Sequence, residues 1–346
     1  WIMAYTDIDK PSDYFETVLY AGNSGTQSIT SLDFQPDWCW FKARNNTDTH
    51  AVFDSVRGVT KRLIPDNTTA EGTQSNGLTH FLSNGFTVAD AGITNQGHNY
   101  VAWNWKAGTS VSGNTSGSGT AKAYSGSVNT DSGFSIIKYV GNGTSAHTIP
   151  HHLGAVPQWV LIKETSNASD WMGYHIGIGN THTIKLNEPD APVDRTDWWN
   201  DTTPTSSVVT LGDNGEINQN DTNYIMYSFS QKQGYSKFGS YTGNGNVDGT
   251  FFYTGFKPAF TIIRSTGSDQ WSMFDAKRNP FNEVDNNIRA NSNAAEADQA
   301  NKEVDYLSNG VKLRTSSGEW NSSGTTYIYM AFAEQPFVTS TGVPAT

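Results

Sequence analysis

The phrases YAGNS (20–24), YVGNG (139–143) and YTGNG (241–245) open three stretches that keep matching well past their first five residues. A proline follows in each, Pro36, Pro157 or Pro258. Two residues after it comes Trp38, Trp159 or Phe260, and six after it Lys42, Lys163 or Arg264. The runs between are alternating or continuously apolar, the pattern of a half-buried or buried strand, and a proline fits a strand entrance. Further on, HAVFDSVRG, WMGYHIGIG and WSMFDAKRN align as a second strand leading into a turn. The Asn-Gly pairs of SNGF (83–86), DNG (213–215) and SNGV (308–311) read as hairpin turns, because both residues tolerate positive φ. Each stretch closes on an aromatic strand: NYVAWNW from Asn99, NYIMYSF from Asn223 and TYIYMAF from Thr326. One order of anchors met three times reads as three copies of one unit.

The chain of 346 residues has room for two or three domains. Aromatic and β-branched residues favour strands, and the abundant Gly, Asn and Asp favour the turns between them. The expected fold is all-β: three tandem homologous β-sandwich or jelly-roll-like units over 14–107, 134–236 and 237–338. The Gly/Ser/Thr-rich stretch 108–133 reads as a linker or an extended surface hairpin. The one helical candidate is AAEADQANKEV, from Ala294. Tandem copies of this kind suit an extended rod whose weak contacts add up to avidity.

A net charge of −11 argues against nucleic-acid binding, which needs clustered Lys and Arg. The single cysteine, Cys39, excludes an intramolecular disulfide and sits in the apolar run WCWF as a small hydrophobe. No apolar run is long enough for a membrane-spanning helix, and no secretory signal is evident. The chain starts at Trp1 with no initiator Met, so residues upstream are expected to be absent.

Few residues carry chemistry. Asp54 with Arg57, and Asp275 with Arg278, place a carboxylate and a guanidinium three residues apart in a turn, where they can close a bidentate pair. The reading is a structural turn clamp. The middle stretch has His175 and Ile178 at those positions, and the second carboxylate that glycoside hydrolysis needs is missing. No catalytic residue and no metal ligand set is assigned. The histidines of the middle stretch, His151 and His152 among them, lack a joining Cys or close carboxylate. No cofactor is expected; the Asp- and Asn-rich turn GDNGEINQND from Gly212 leaves Ca²⁺ open, with a hairpin turn the preferred reading. The remaining candidates are aromatic. In TDWWNDTTP, Trp198 and Trp199 stand in a polar stretch, and if the stretch is a strand one of the two faces out. An exposed indole beside Asn200 and Asp201 is a way to stack on a sugar while bonding its hydroxyls. The pairs Trp38/Trp40 and Trp103/Trp105 each share a strand face and are expected in the core.

The anchors of the third stretch, GSYTGNG, GFKPAFTIIRS, NPFNEV, LSNGVKLR and GTTYIYMAFAEQPF, resemble a repeat family common in marine-type bacteriophages. KPSDYFETVLYAG, FQPDWCWFKAR, DSVRGVTKRL and YVAWNWKAG in the first stretch share that resemblance, which spans nearly the whole chain. It implies a virion structural protein of tail-fibre, spike or surface type, with repeats similar to concanavalin-like lectin or glucanase sandwiches. It brings no catalytic motif. The expected function is a non-enzymatic adhesin module on the virion, tail or capsid surface, contacting host-surface glycans. The expected partners are other virion subunits in a homo-oligomer, with a trimer fitting a fibre. The alternatives are a purely architectural virion protein, capsid decoration or fibre shaft, and an enzyme that degrades polysaccharide.

Overall fold

The computed structural model describes residues 6–298 and 303–344. Among them the chain is almost entirely antiparallel β. The first region forms β1 (Phe15–Ala21), β2 (Gln27–Ile29), β3 (Trp38–Ala43), β4 (Ala51–Asp54), β5 (Lys61–Arg62), β6 (Gly72–Thr73), β7 (Leu78–Leu82), β8 (Gly85–Val88) and β9 (Asn99–Trp105). The strands β1-β9-β3-β4 make one sheet in that order, and β2-β8-β7 make a smaller one. Val18, Cys39, Phe41, Phe53 and Ala102 of the large sheet pack against Leu78, Phe86 and Val88 of the small one, which makes a sandwich.

The second region forms β10 (Thr109–Asn114), β11 (Ser116–Gly117), β12 (Ala123–Asn129), β13 (Phe134–Val140), β14 (His147–Pro150), β15 (Trp159–Glu164), β16 (Trp171–His175), β17 (His182–Lys185), β18 (Val193–Asp194), helix α1 (Thr196–Trp199), β19 (Val208–Leu211), helix α2 (Gly215–Asn218) and β20 (Asn223–Phe229). Its large sheet runs β10-β12-β13-β20-β15-β16-β17-β18, and its small one β11-β14-β19. The Gly/Ser/Thr-rich stretch is a hairpin: β10 pairs with β12 and β12 with β13, so it extends the sheet of the second sandwich.

The third region forms β21 (Ser236–Thr242), β22 (Phe251–Tyr253), β23 (Phe256–Ser265), β24 (Ser272–Asp275), β25 (Asn286–Arg289), β26 (Ala297–Asp298), β27 (Val304–Leu307), β28 (Gly310–Leu313), helix α3 (Gly318–Asn321) and β29 (Thr326–Pro336). Its sheets are β21-β29-β23-β24-β25-β26 and β22-β28-β27. Over the described residues of the candidate from Ala294 no helix forms. Ala297 pairs with Asn287 in a strand, and Glu296 is held by Arg278 and Arg44; residues 299–302 of that candidate lie outside the described residues.

The phrases that open the three stretches have one structural job. Tyr20, Tyr139 and Tyr241 stack on Tyr100, Tyr224 and Tyr327 at centroid distances of 5.3, 5.1 and 5.1 Å. The backbone N–H of Asn23, Asn142 and Asn244 donates to the side-chain oxygen of the buried Asn95, Asn218 and Asn321. The glycine between them admits no side chain: a Cβ on Gly22, Gly141 or Gly243 meets a backbone carbonyl oxygen at 1.8, 2.4 or 2.3 Å. Asn-Gly at 214–215 is not a hairpin turn as SNG is at 83–85 and 308–310. Asn214 caps α2, its side-chain oxygen accepting from the Glu216 N–H, as Ser317 caps α3.

The central strands β3, β9, β15, β20, β23 and β29 are buried on both faces. The alternation has period two, as a strand requires. Cys39, Phe41, Val160, Ile162 and Ile263 face their own sandwich, whereas Trp38, Trp40, Trp159, Leu161, Phe260 and Ile262 face a fourth core common to all three. At its centre Trp105, Phe229 and Phe332, one from each sandwich, form a triangle with sides of 6.4, 5.9 and 5.6 Å. The sandwiches therefore close into a ring about an apolar axis, each touching the other two, and do not string out as a rod.

Candidate functional site

The seams of this ring hold a set of buried polar and charged side chains. At the first position of the second aligned strand stand His50, Trp171 and Trp271. His50 Nε2 lies 3.1 Å from the Arg289 carbonyl, Trp171 Nε1 donates to the Ile64 carbonyl at 2.8 Å, and Trp271 Nε1 to the Lys185 carbonyl at 2.8 Å. Each bond leaves one sandwich for the next, and the three together run once around the ring. Lys42, Lys163 and Arg264 flank the same seams, all fully buried. Lys163 donates to the Thr68 carbonyl, and Arg264 to the carbonyls of Lys185, Glu188 and Asp190. Burial pulls the ammonium groups of Lys42 and Lys163 down to about 8 and Arg264 down to about 10, with nearby carboxylates opposing.

The two clamps are more than turns. Arg57 Nε donates to Asp54 Oδ2 at 2.5 Å and Arg278 Nε to Asp275 Oδ2 at 2.5 Å, through one side-chain bond each in place of the expected bidentate fork. The other oxygen, Oδ1, accepts two turn amides in each case, from Val56 and Arg57 and from Lys277 and Arg278. The same Oδ2 also accepts from the next sandwich: Tyr227 Oη to Asp54 at 2.6 Å and Trp103 Nε1 to Asp275 at 3.1 Å. The third site of the cycle has Met330 where the others have Tyr227 and Trp103, and a thioether has no proton to give. There the facing residue is His175, and its Nε2 pairs instead with the Tyr329 carbonyl at 3.1 Å. Where the middle stretch departs from Asp…Arg, the third sandwich thus offers a carbonyl acceptor and no side-chain donor.

Outward from the clamps, Arg57 reaches Glu71 and Arg278 reaches Glu296, which Arg44 also holds. Burial would raise Glu296, yet the Arg44 bond and the Arg278 charge hold it below the usual carboxylate range. The Glu71 and Glu296 amides donate to the carbonyls of Thr165 and Arg44. The middle stretch has Pro192 at this point, with no N–H, and the third such bond is not made.

The proposed glycan residues are not a surface. Trp198 and Trp199 lie in α1 and are 4% and 1% exposed, both within the core of the second sandwich. The expectation that one faces out assumed a strand. Here α1 takes the chain position that β7 and β27 hold in the other sandwiches, and both rings pack into the core of the second sandwich. Trp199 meets Tyr174 edge-on at 6.0 Å, and Arg195 covers Trp198 at 5.2 Å. Neither indole has a face free for a sugar. Asn200 and Asp201, at φ of 49° and 46°, turn the chain out of the helix. Among the described residues no group of three or more His, Cys, Asp or Glu is placed to hold a metal ion, and the turn from Gly212 contains α2.

The surface also carries two open grooves. One of about 530 Å³ lies between the first sandwich and the inserted hairpin, lined by Asp37, Ser55, Ser110, Ser125 and Ser127. The other, about 470 Å³, lies beside the second-to-third connection, lined by Gln231, Gln233, Ser236, Lys237 and Tyr253. Tyr253 is 57% exposed, its ring resting near Gly255. The alternation in FFY, with Phe252 in and its neighbours out, was the available signal for it.

No curated protein and no solved structure matches the chain. One family does, over residues 10–336, and so takes in all three sandwiches and the hairpin at once. With a match over that length, the chain belongs to the family described as Domain of unknown function (DUF7483).

Proposed function

We propose that the chain is a non-enzymatic structural component of a phage virion surface, in an architectural role such as capsid decoration or a fibre module. The observation that carries the reading is the closed ring about Trp105, Phe229 and Phe332. Its buried carboxylates, Asp54 and Asp275, are engaged in holding neighbouring sandwiches in register. The phage assignment itself rests on the resemblance of the repeat phrases. In this reading three sandwiches of one chain take the place of a homotrimer of single sandwiches, and the partners are other virion subunits. Immunogold labelling of purified particles of the encoding phage tests it: decoration of capsid or tail is expected, and a protein found only in lysate and never on particles refutes it.

A second reading, contact with a cell-surface glycan, is favoured by the groove at Tyr253. An exposed phenol ring flanked by Gln231, Gln233 and Lys237 offers a stacking face and amide and ammonium partners for hydroxyls. Glycan-array binding that Tyr253→Ala abolishes supports it; an array without signal, or a signal indifferent to that change, removes it.

A further inference from the structure

In the second sandwich β13 does not end its sheet, because β12 pairs with it antiparallel from Tyr124↔Tyr139 to Asn129↔Phe134. Its counterpart in the first sandwich, β1, does end its sheet. The bonds from Lys106 N to Tyr14 O and from Gly22 N to His98 O fix which residues of β1 turn their backbone to β9: Glu16, Val18 and Tyr20. The N–H and C=O of Phe15, Thr17 and Leu19 therefore point away from the sheet. Among the described residues none of these three makes a backbone hydrogen bond outside the β1–β9 pairing.

The space beside that edge is shaped. A cleft of about 300 Å³ runs between Phe15, Glu16 and Thr17 on one side and Ala259, Ala276 and Lys277 of the third sandwich on the other. The Thr17 hydroxyl lies in a residue 3% exposed and has no hydrogen-bond partner among the described residues. Ala259, Ala276 and Lys277 correspond to Asp37, Ser55 and Val56 of the first sandwich. Those three face Ser125, Gly126 and Ser127 of β12 across the serine-lined groove. The cleft thus stands where the serine-lined groove stands one seam further round, with no strand paired to β1 and with its walls tied by the Lys277–Glu16 ion pair at 3.3 Å. The remaining counterpart, β21, is less open, since the Ser236 amide is taken by the Lys232 carbonyl.

We propose that the unpaired edge of β1 is a docking site for an extended strand of another protein chain, added antiparallel as β12 is added to β13. The seated strand defines the partner's chemistry. Gly126 stands opposite Ile137, and a Cβ there would meet the Ile136 carbonyl oxygen at 2.3 Å. Ile137 corresponds to Val18, so the partner places glycine opposite Val18, with small hydroxyl residues on either side. In a second copy of this chain the segment of that chemistry, β12, is already engaged, so the partner is a different chain. The inference does not depend on the virion reading.

The probe is a fluorescent peptide with the sequence of residues 122–130, KAYSGSVNT, added to the full chain. Saturable one-to-one binding is expected by anisotropy, with slowed amide exchange at Thr17 and Leu19. Leu19→Pro removes an N–H that lies outside the β1–β9 ladder, so the melting temperature should hold while binding weakens at least tenfold. A peptide carrying Gly126→Leu should bind at least tenfold more weakly as well. No saturable binding up to millimolar peptide, or no slowing at Thr17 and Leu19, overturns the proposal, and this wild-type exchange map decides it even if Leu19→Pro fails to fold. A dimer of the chain alone that slows the same two amides also overturns it, by giving the edge to a second copy.

Discussion

Tyr227 of the second sandwich donates its hydroxyl to Asp54 of the first at 2.6 Å, across 173 residues of sequence. Both residues are fully buried, and Arg57 bonds the same carboxylate oxygen. Tyr227→Phe keeps the ring and the Asp54–Arg57 pair but removes the donor that crosses the seam. A buried bond to a charged group is worth about 1.5–3 kcal/mol, and a loss of that size is expected in urea denaturation. A loss below about 0.5 kcal/mol would show that the seam does not depend on it.

Asp at position 175 should not be tolerated on its own. His175→Asp buries a carboxylate with Ile178 where the clamp has Arg and with Met330 where it has a donor. A buried charge without its partner costs about 3–5 kcal/mol. Adding Ile178→Arg and Met330→Tyr supplies both partners, and the triple variant should recover more than half of that loss. Additive costs across the three changes would contradict the cyclic relationship.

Because the central core belongs to all three sandwiches, the chain should unfold in one transition. Calorimetry of Trp271→Phe, which loses the bond to the Lys185 carbonyl, should show one peak at lower temperature. Fluorescence and exchange probes in the first sandwich should shift with it. Two resolved peaks, with the first sandwich unaffected, would mean independent folding.

Burial holds His50 at about 3, with the Lys42 charge adding to the effect, and His151 and His175 at about 4. The unfolded chain binds protons at these sites below about 6.5, where the folded chain does not. Their contribution is complete above that pH and is lost as pH falls toward 4, with a slope of up to about 1.4 kcal/mol per unit for each histidine. Asp66, raised by burial to about 6, opposes them, since its protonated form favours the folded state as pH falls from 6 to 4. The net expectation is acid destabilisation between pH 6.5 and 4, shallower in His50→Gln and His175→Gln. A flat profile over that range would contradict it.

Trp199 fills the second sandwich beside Tyr174. Trp199→Ala should cost about 3–5 kcal/mol, the range for emptying a large buried side chain. A variant as stable as the parent would return Trp199 to the surface.

The strands were legible wherever local pattern suffices. Pro36, Pro157 and Pro258 with the aromatic two residues later marked the central strands, and SNG marked two hairpins. WCWF and WVLI read as buried runs, but a run cannot say what covers its second face. That face is covered by the other sandwiches, and contacts between Trp105, Phe229 and Phe332 lie beyond any local window. Trp198 and Trp199 misled because TDWW lacks the length to declare a helix. A single helical turn is held by the burial of its two indoles in the core of the second sandwich, not by propensity. Asp54 and Arg57 were visible as a pair, while Tyr227, their partner across the seam, carried no signal.

The Ser340 amide donates to Asp9 Oδ1 at 2.6 Å, so the start and finish of the ring lie side by side. A chain joined there and opened in the turn between β11 and β12 would present the sandwiches in a different order and keep the bonds between the large sheets. Synthesis order is then free to vary, and inheritance is not. A change at Tyr227, Trp103 or His175 has its answer 173, 172 or 154 residues away, in a different sandwich. Substitutions in relatives of this chain should therefore covary around the circle and not along the chain.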